Sequence, residues 1–151
     1  MRKGLVVLCT VACLGLGVLV ARTPTGPDVG DLGYISCNLD VQGDVQMLMQ
    51  EWVVVFKPVP TCAAWRSGNF TARTERLIAR HDGCPEPVAD CLTEARGWTG
   101  KALESSLESC RHMDSFCATM DTADLGRSED RLEDYTAFTE LAVSALKKCE
   151  W

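Results

Sequence analysis

With 151 residues, the chain has the length of one domain, and its 21 acidic residues outnumber 15 basic ones to give a formal net charge of −6. A surface with this excess of carboxylates repels phosphate backbones and anionic lipid, so the composition argues against nucleic-acid binding and electrostatic membrane docking. Nine cysteines in so short a chain indicate a disulfide framework if the protein is exported.

The first 21 residues have the layout of a secretory signal peptide. Arg2 and Lys3 precede an apolar run over residues 5–21 that is interrupted only by Thr10. We expect cleavage near Ala21; a retained signal anchor is the alternative, because the run approaches the length of a short membrane span. Cleavage removes two of the 15 basic residues, which leaves 13 against 21 acidic residues and a formal charge of −8.

Seven cysteines remain after the predicted cleavage, and they are spread over the rest of the chain. In an exported protein this distribution is typical of disulfide bonds. Zinc is the competing use of cysteine, but no Cys-x-x-Cys spacing occurs and the two histidines, His81 and His112, are isolated. We therefore expect neither a metal nor another cofactor.

Residues 22–36 are rich in Thr, Pro, Gly and Asp, and their composition predicts a flexible leader before a cysteine-rich domain over residues 37–151. From Asp40 to Phe56, apolar residues recur at three- and four-residue steps. This period predicts an amphipathic helix, which two nearby prolines would end.

Two shorter helical stretches follow. A weaker one opens at Thr61, and a second is predicted from Thr71 to Asp82, with Gly83 as its C-terminal cap. The sequence Asn-Phe-Thr at Asn69, between them, is an N-glycosylation sequon. A glycan on Asn69 would place this junction on the protein surface.

Two cysteine pairs in the second half of the chain share a gap of six residues: Cys84 with Cys91, and Cys110 with Cys117. Seven positions are two turns of helix, so both sulfurs of a pair point to one face. Gly97 and Gly100 favour a turn between two antiparallel helices, the first opened by Pro85 and Pro87. One continuous bent helix over residues 87–120 is the alternative.

The polar residues 121–127 predict a loop, with Ser128 as the N-cap of a last helix. The stripe from Leu132 to Cys149 is the cleanest amphipathic pattern in the chain. Four to five helices without persistent alternation predict an all-α, disulfide-stapled bundle.

The predicted turn at Gly100 sets the predicted disulfides. A hairpin centred there brings Cys84 level with Cys117 and Cys91 level with Cys110.

The other three cysteines are Cys37, Cys62 and Cys149. The first two flank the first long helix and are poor partners for each other. Cys149 is therefore predicted to take one of them, with Cys62 preferred, and Cys37 would be the odd thiol or a dimer link.

The octet from Cys110 to Cys117 resembles the active-site helix of secreted phospholipases A2, in which a histidine next to an aspartate lies between disulfide cysteines. The resemblance covers only this octet, and it implies His112 as a catalytic residue. In this chain Met113 separates His112 from Asp114, so the two point about 200° apart on a helix. The glycine-rich calcium loop of that family is also missing upstream, and the residues favour a solvated histidine.

The acidic groups Asp40/Asp44 and Glu129/Asp130/Glu133/Asp134 are in principle a source of general acid and base, but charged helix faces are usually solvated. A ligand cavity is the stronger alternative. Its lining would be Met47, Met49, Trp52, Trp65, Met113, Phe116 and Met120. A stripe of this kind at helical spacing is more typical of a core.

These observations predict a secreted, glycosylated, cysteine-rich extracellular protein that binds another molecule, foremost a protein, without catalysis. An extracellular carrier of small hydrophobic ligands is the first alternative, and a lipase-like enzyme is the second. The odd cysteine also leaves open a disulfide-linked dimer.

Overall fold

The computed structural model describes residues 28–55 and 61–149 of the chain. In these two ranges every regular element is an α-helix, which confirms the predicted fold class. The helices are α1 (Val29–Val55), α2 (Cys62–Gly68), α3 (Phe70–Asp82), α4 (Asp90–Thr119) and α5 (Thr122–Lys147). The predicted signal peptide, Phe56 and the two prolines that follow it lie outside the described residues.

Helix α1 begins at Val29, so its first two turns occupy a segment that was predicted to be a flexible leader; that prediction is wrong for residues 29–36. The composition was misleading because two side chains of this segment are buried, Tyr34 at 1% exposure and Asp31 at 4%. Burial of an aromatic ring supplies the free energy that orders the backbone around it.

Helix α4 runs without a break through both glycines of the predicted turn, so the hairpin at Gly100 is wrong and the continuous helix is correct. A helical glycine costs about 1 kcal/mol relative to alanine. Burial of Leu92, Leu103 and other side chains along one face of α4 outweighs that cost. The helix begins at Asp90, later than the prolines at 85 and 87 suggested.

The chain reverses at Met120 and Asp121, and α5 returns antiparallel along α4. Met120 adopts a left-handed conformation with φ of 60°, and Asp121 caps α5 by accepting a hydrogen bond from the Ala123 N–H at 2.9 Å. The predicted loop over residues 121–127 and the predicted cap at Ser128 are therefore wrong. Ser128 lies inside α5, where the Ser109 hydroxyl donates to its carbonyl oxygen at 2.7 Å.

Three disulfides connect the helices, and their pairing differs from the prediction. They are Cys37–Cys84, Cys62–Cys117 and Cys91–Cys149, with Cα separations of 5.7, 5.3 and 5.4 Å. The predicted Cys91–Cys110 bridge is wrong because 19 helical positions separate the two residues by about 28 Å. The predicted Cys84–Cys117 bridge fails for the same reason, since Cys84 precedes α4 and Cys117 lies near the end of that helix.

The odd cysteine is Cys110, not Cys37, and the predicted Cys62–Cys149 bridge is wrong because the end of α5 returns to Cys91 at the start of α4. Cys110 is 1% exposed, and its sulfur lies 3.6 Å from the Thr74 hydroxyl. Burial raises the pKa of this thiol to about 12. Cys37, which is bonded to Cys84, therefore has no free thiol for the predicted dimer link, and the free thiol of Cys110 is buried.

Candidate interaction surface

The structure places His112 and Asp114 on different sides of α4. Asp114 accepts hydrogen bonds from the Trp65 indole at 2.7 Å and from the Thr71 hydroxyl at 2.5 Å. His112 faces α5 instead, with its Nδ1 at 3.6 Å from a carboxylate oxygen of Asp124. The two residues implied by the phospholipase resemblance do not share a site.

Asp124 does bring a serine and a histidine together, an arrangement that sequence reasoning missed. The Ser115 hydroxyl donates to Asp124 at 2.6 Å, and this hydrogen bond is the main reason that the pKa of Asp124 is lowered. In a nucleophilic triad the histidine stands between the serine and the carboxylate, because it must take the hydroxyl proton. Here the carboxylate stands between the other two, so the group is a hydrogen-bonded ion pair that joins α4 to the start of α5.

The other residues predicted for chemistry lie on helix surfaces. Asp44 pairs with Arg80, and Arg131 pairs with Asp134 at 2.8 Å. Asn69 is exposed at the junction of α2 and α3, in a left-handed conformation with φ of 48°. No cluster of three or more metal-ligating side chains occurs among the described residues. Over the same residues, no helix has both the length and the apolarity to cross a membrane.

The seven residues predicted to line a ligand cavity are divided between core and surface. Trp52, Trp65, Met113 and Phe116 are buried in the packed core, while Met47 and Met120 are 55% and 65% exposed. A separate cleft of about 30 Å³ lies between α1, α4 and α5, with Asn38, Thr99 and Thr139 among its polar lining residues. It has room for a few water molecules, whereas small-molecule sites are typically about 300–1,000 Å³.

Helix α1 is apolar on two opposite sides, which distinguishes it from an ordinary surface helix. Its inner side is buried and carries Tyr34, Val41, Val45, Leu48 and Trp52. Its outer side carries Val29, Leu32, Leu39, Met47 and Val54, which are 85, 51, 41, 55 and 73% exposed. We call these five residues the outer stripe.

The outer stripe is continuous in angle as well as along the chain. At 100° per residue its five members fall within an arc of about 80°, and the other residues of that arc are Ser36, Gly43 and Gln50, none of them charged. The exposed apolar area is on the order of 500 Å², in the range of the largest patches on monomeric proteins, which are often functional. The seven- and eight-residue steps from Leu32 to Val54 are visible in the sequence. They were missed because the helix was predicted to begin only at Asp40.

The N-terminal half of α1 is fixed by polar contacts. Asp31 accepts hydrogen bonds from the N–H groups of Val88 at 2.7 Å and Ala89 at 3.1 Å, at the start of α4, where a carboxylate also complements the helix dipole. The guanidinium of Arg96 lies over the ring of Tyr34 at 5.8 Å. It donates to the carbonyl oxygens of residues 82, 84 and 85 at 2.9–3.0 Å. The Cys37–Cys84 disulfide closes the same region.

The C-terminal half of α1 is fixed by aromatic packing and ion pairs. The ring centroid of Trp52 lies 5.5 Å from that of Trp65 and 6.5 Å from that of Phe70. Glu51 forms a two-pronged ion pair with Arg73, whose hydrogen bonds lower the pKa of the Glu51 carboxyl. Both halves are thus held from the inner side, while the side chains of the outer stripe remain 41–85% exposed.

Comparison of the chain with models of known protein families, with curated proteins and with solved structures gives no match.

Proposed function

We propose that this protein is a secreted, non-enzymatic binding protein that acts on an extracellular partner, foremost another protein. The observation that carries this proposal is the outer stripe of α1. An uncharged apolar surface of this size costs solubility unless a partner covers it. Because α1 is held from its inner side by a disulfide, buried rings and ion pairs, the stripe is presented in one fixed conformation.

Export is supported by the apolar N-terminal segment and by the disulfides. Three bridges within one chain suit an oxidising compartment, where such bonds form and persist. The exposure of Asn69 is compatible with a glycan at this position. We expect protein from a eukaryotic secretory host to begin near Arg22 and to lose mass on enzymatic removal of N-glycans.

The two alternatives have less support from the described residues. A carrier of hydrophobic ligands needs an enclosed apolar cavity, and the residues predicted to line one are packed or on the surface. A lipase-like enzyme needs a histidine paired with an activated nucleophile or water, and His112 is paired with Asp124, which already accepts a hydrogen bond from the Ser115 hydroxyl.

The test is capture of extracellular partners by the oxidised, glycosylated protein. We expect saturable binding of a defined protein from extracellular fluid, lost when the disulfides are reduced because the scaffold then loosens. Native mass spectrometry of the same preparation is the control. A bound small apolar molecule together with no saturable protein partner would contradict the proposal and favour the carrier.

A further inference from the structure

We propose that the outer stripe docks an amphipathic helix of the partner that carries basic residues along the edges of its apolar face. This inference rests on the proposed function and names the class of partner for that surface. Three observations lead to it: the spacing of the stripe, the charge around it, and its area.

The spacing of the stripe fits a helix laid along α1. Leu32, Leu39, Met47 and Val54 follow one another at steps of seven, eight and seven residues, close to the heptad spacing by which two helices meet along a seam. From Val29 to Val54 the stripe is about 38 Å long. A side-chain carbon built on Gly43, near the middle, would meet no atom within 4 Å, so the described chain leaves this position open to a close approach.

The charged residues around the stripe indicate which kind of partner helix would bind it. Helix α1 carries four acidic residues, Asp31, Asp40, Asp44 and Glu51, and no basic residue. Asp44 and Glu51 are neutralised by Arg80 and Arg73 of α3, and Asp31 is buried. Within the described part of the chain Asp40, exposed at the edge of the stripe, has no ion pair. Lysine or arginine on the partner would complement it.

Charge and area both disfavour a second copy of this chain as the occupant. Two α1 helices would each bring an exposed Asp40 carboxylate to the seam and no basic residue of α1 to complement it. Two patches of roughly 500 Å² also fall well short of the ~2,000 Å² or more that obligate homodimers bury. A single partner helix matches the length and the width of the patch.

The first test compares two synthetic helical peptides of about 25 residues, a length that covers the stripe. Both carry Leu at seven-residue spacing; one has Lys along the edges of the apolar face and the other has Glu. By fluorescence anisotropy, we expect the Lys peptide to bind the secreted, oxidised protein at least about tenfold more tightly. Equal affinities would overturn the assignment of a basic partner.

Matched variants separate docking on the stripe from general attraction to an acidic protein. The double variant Leu39→Ser, Met47→Ser should weaken binding of the Lys peptide by about tenfold or more. The control is Leu141→Ser on α5, because Leu141 and Leu39 are both 41% exposed. We expect the control to bind like wild type. A double variant that binds like wild type, or a control that weakens equally, overturns the proposal.

A second measurement needs no variant. Met47 and Met120 are exposed to similar extents and Met113 is 1% exposed, so hydrogen peroxide should oxidise the first two at similar rates and spare the third. Addition of the Lys peptide should slow oxidation of Met47 alone. Protection of Met47 in the free protein at every concentration would mean that another segment of this chain covers the stripe. Protection that grows with protein concentration would mean a second copy; either result overturns the proposal.

Capture with the double variant distinguishes the two proposals. A partner retained equally by wild type and by Leu39→Ser, Met47→Ser would reject the stripe and leave the binding function standing. Failure of the wild-type protein to retain any saturable partner would reject both.

Discussion

The two halves of α1 are held against the same bundle by different physical means. At its N-terminal half, which we call the polar end, buried or half-buried Asp31 and Arg96 satisfy backbone groups of the segment before α4. At its C-terminal half, the aromatic end, the rings of Trp52, Trp65 and Phe70 pack together at 4.7–6.5 Å. The aromatic end is stabilised by the burial of apolar area, and truncation of a side chain removes that area. The polar end is stabilised by hydrogen bonds and charged groups, so its stability changes when a charge is removed or the pH is changed.

The largest expected effect is at the aromatic end. Trp65→Ala removes a side chain that is 2% exposed, stacked on Phe70 at 4.7 Å and hydrogen-bonded to Asp114. We expect a loss of about 3–5 kcal/mol in the free energy of unfolding, measured by urea denaturation. Trp98→Ala is the control, because Trp98 is only half-buried against Phe138. A loss no greater than that of the control would contradict the packing described for this end.

A second substitution tests how tightly the same end is packed. A Cβ built on Gly68 would lie 2.2 Å from a ring carbon of Phe70, which is itself buried between two tryptophans. Gly68→Ala should therefore destabilise the protein by about 1–3 kcal/mol, because the ring has little room to move. Gly97→Ala in α4 is the matched control: its Cβ meets nothing within 4 Å, and alanine there should stabilise the helix by about 1 kcal/mol. If both variants destabilised the protein, or both stabilised it, the described difference in packing around the two glycines would be refuted.

At the polar end the expected loss from a single truncation is smaller. Asp31→Ala leaves the N–H groups of Val88 and Ala89 without their acceptor at the start of α4. We expect a loss of about 1–2 kcal/mol, typical of a helix cap. Asp40→Ala, which removes an exposed carboxylate from the same helix, should change stability by less than about 0.5 kcal/mol. Thermal unfolding of both variants at neutral pH gives the comparison, and similar losses would mean that Asp31 is not a cap.

The sequence predicted the helical class and several helices, but it did not predict how the helices are paired. The predicted disulfides joined cysteines at equal distances along the chain from a turn; that rule was correct, but the turn was placed wrongly. Cys91 and Cys149 are equidistant from Met120, where the chain in fact reverses, just as the predicted pairs had their midpoint between Gly100 and Lys101. Methionine gives no local signal for a left-handed cap, whereas glycine gives a strong one that packing along α4 overrides.

The outer stripe was harder to predict than the fold class. It extends over a longer helix than the sequence predicted, and that helix is longer because side chains at its N-terminal end are buried. Composition alone made the segment before Cys37 look flexible, since the burial of Asp31 and Tyr34 depends on α4 and Arg96, which are distant in sequence. Once the helix extends to Val29, the seven-residue spacing of the outer stripe becomes visible. The apolar inner side of α1 was predictable from the helical period alone, whereas the outer stripe could be recognised only once the start of the helix at Val29 was known.

The smallest expected effect is a pH dependence at the polar end, and it comes from His81. The imidazole is 3% exposed, and among the described residues neither of its nitrogens has a hydrogen-bond partner. Burial is the main reason that the pKa of His81 is lowered; Arg96 lowers it further, and the neighbouring Asp82 opposes the shift. Gly100 of α4 packs on the ring, and Tyr34 and Glu86 are the other titratable groups beside Arg96.

The sign of the effect follows from the lowered pKa. Below the ordinary histidine pKa of about 6.5, the unfolded chain takes up a proton that the folded protein excludes. The stability due to neutral His81 is therefore complete above that pH and is lost as the pH falls towards the folded pKa. We expect urea midpoints to fall between pH 7 and pH 5, and His81→Phe to reduce that fall. A fall that persists unchanged in His81→Phe would assign it to the carboxylates instead.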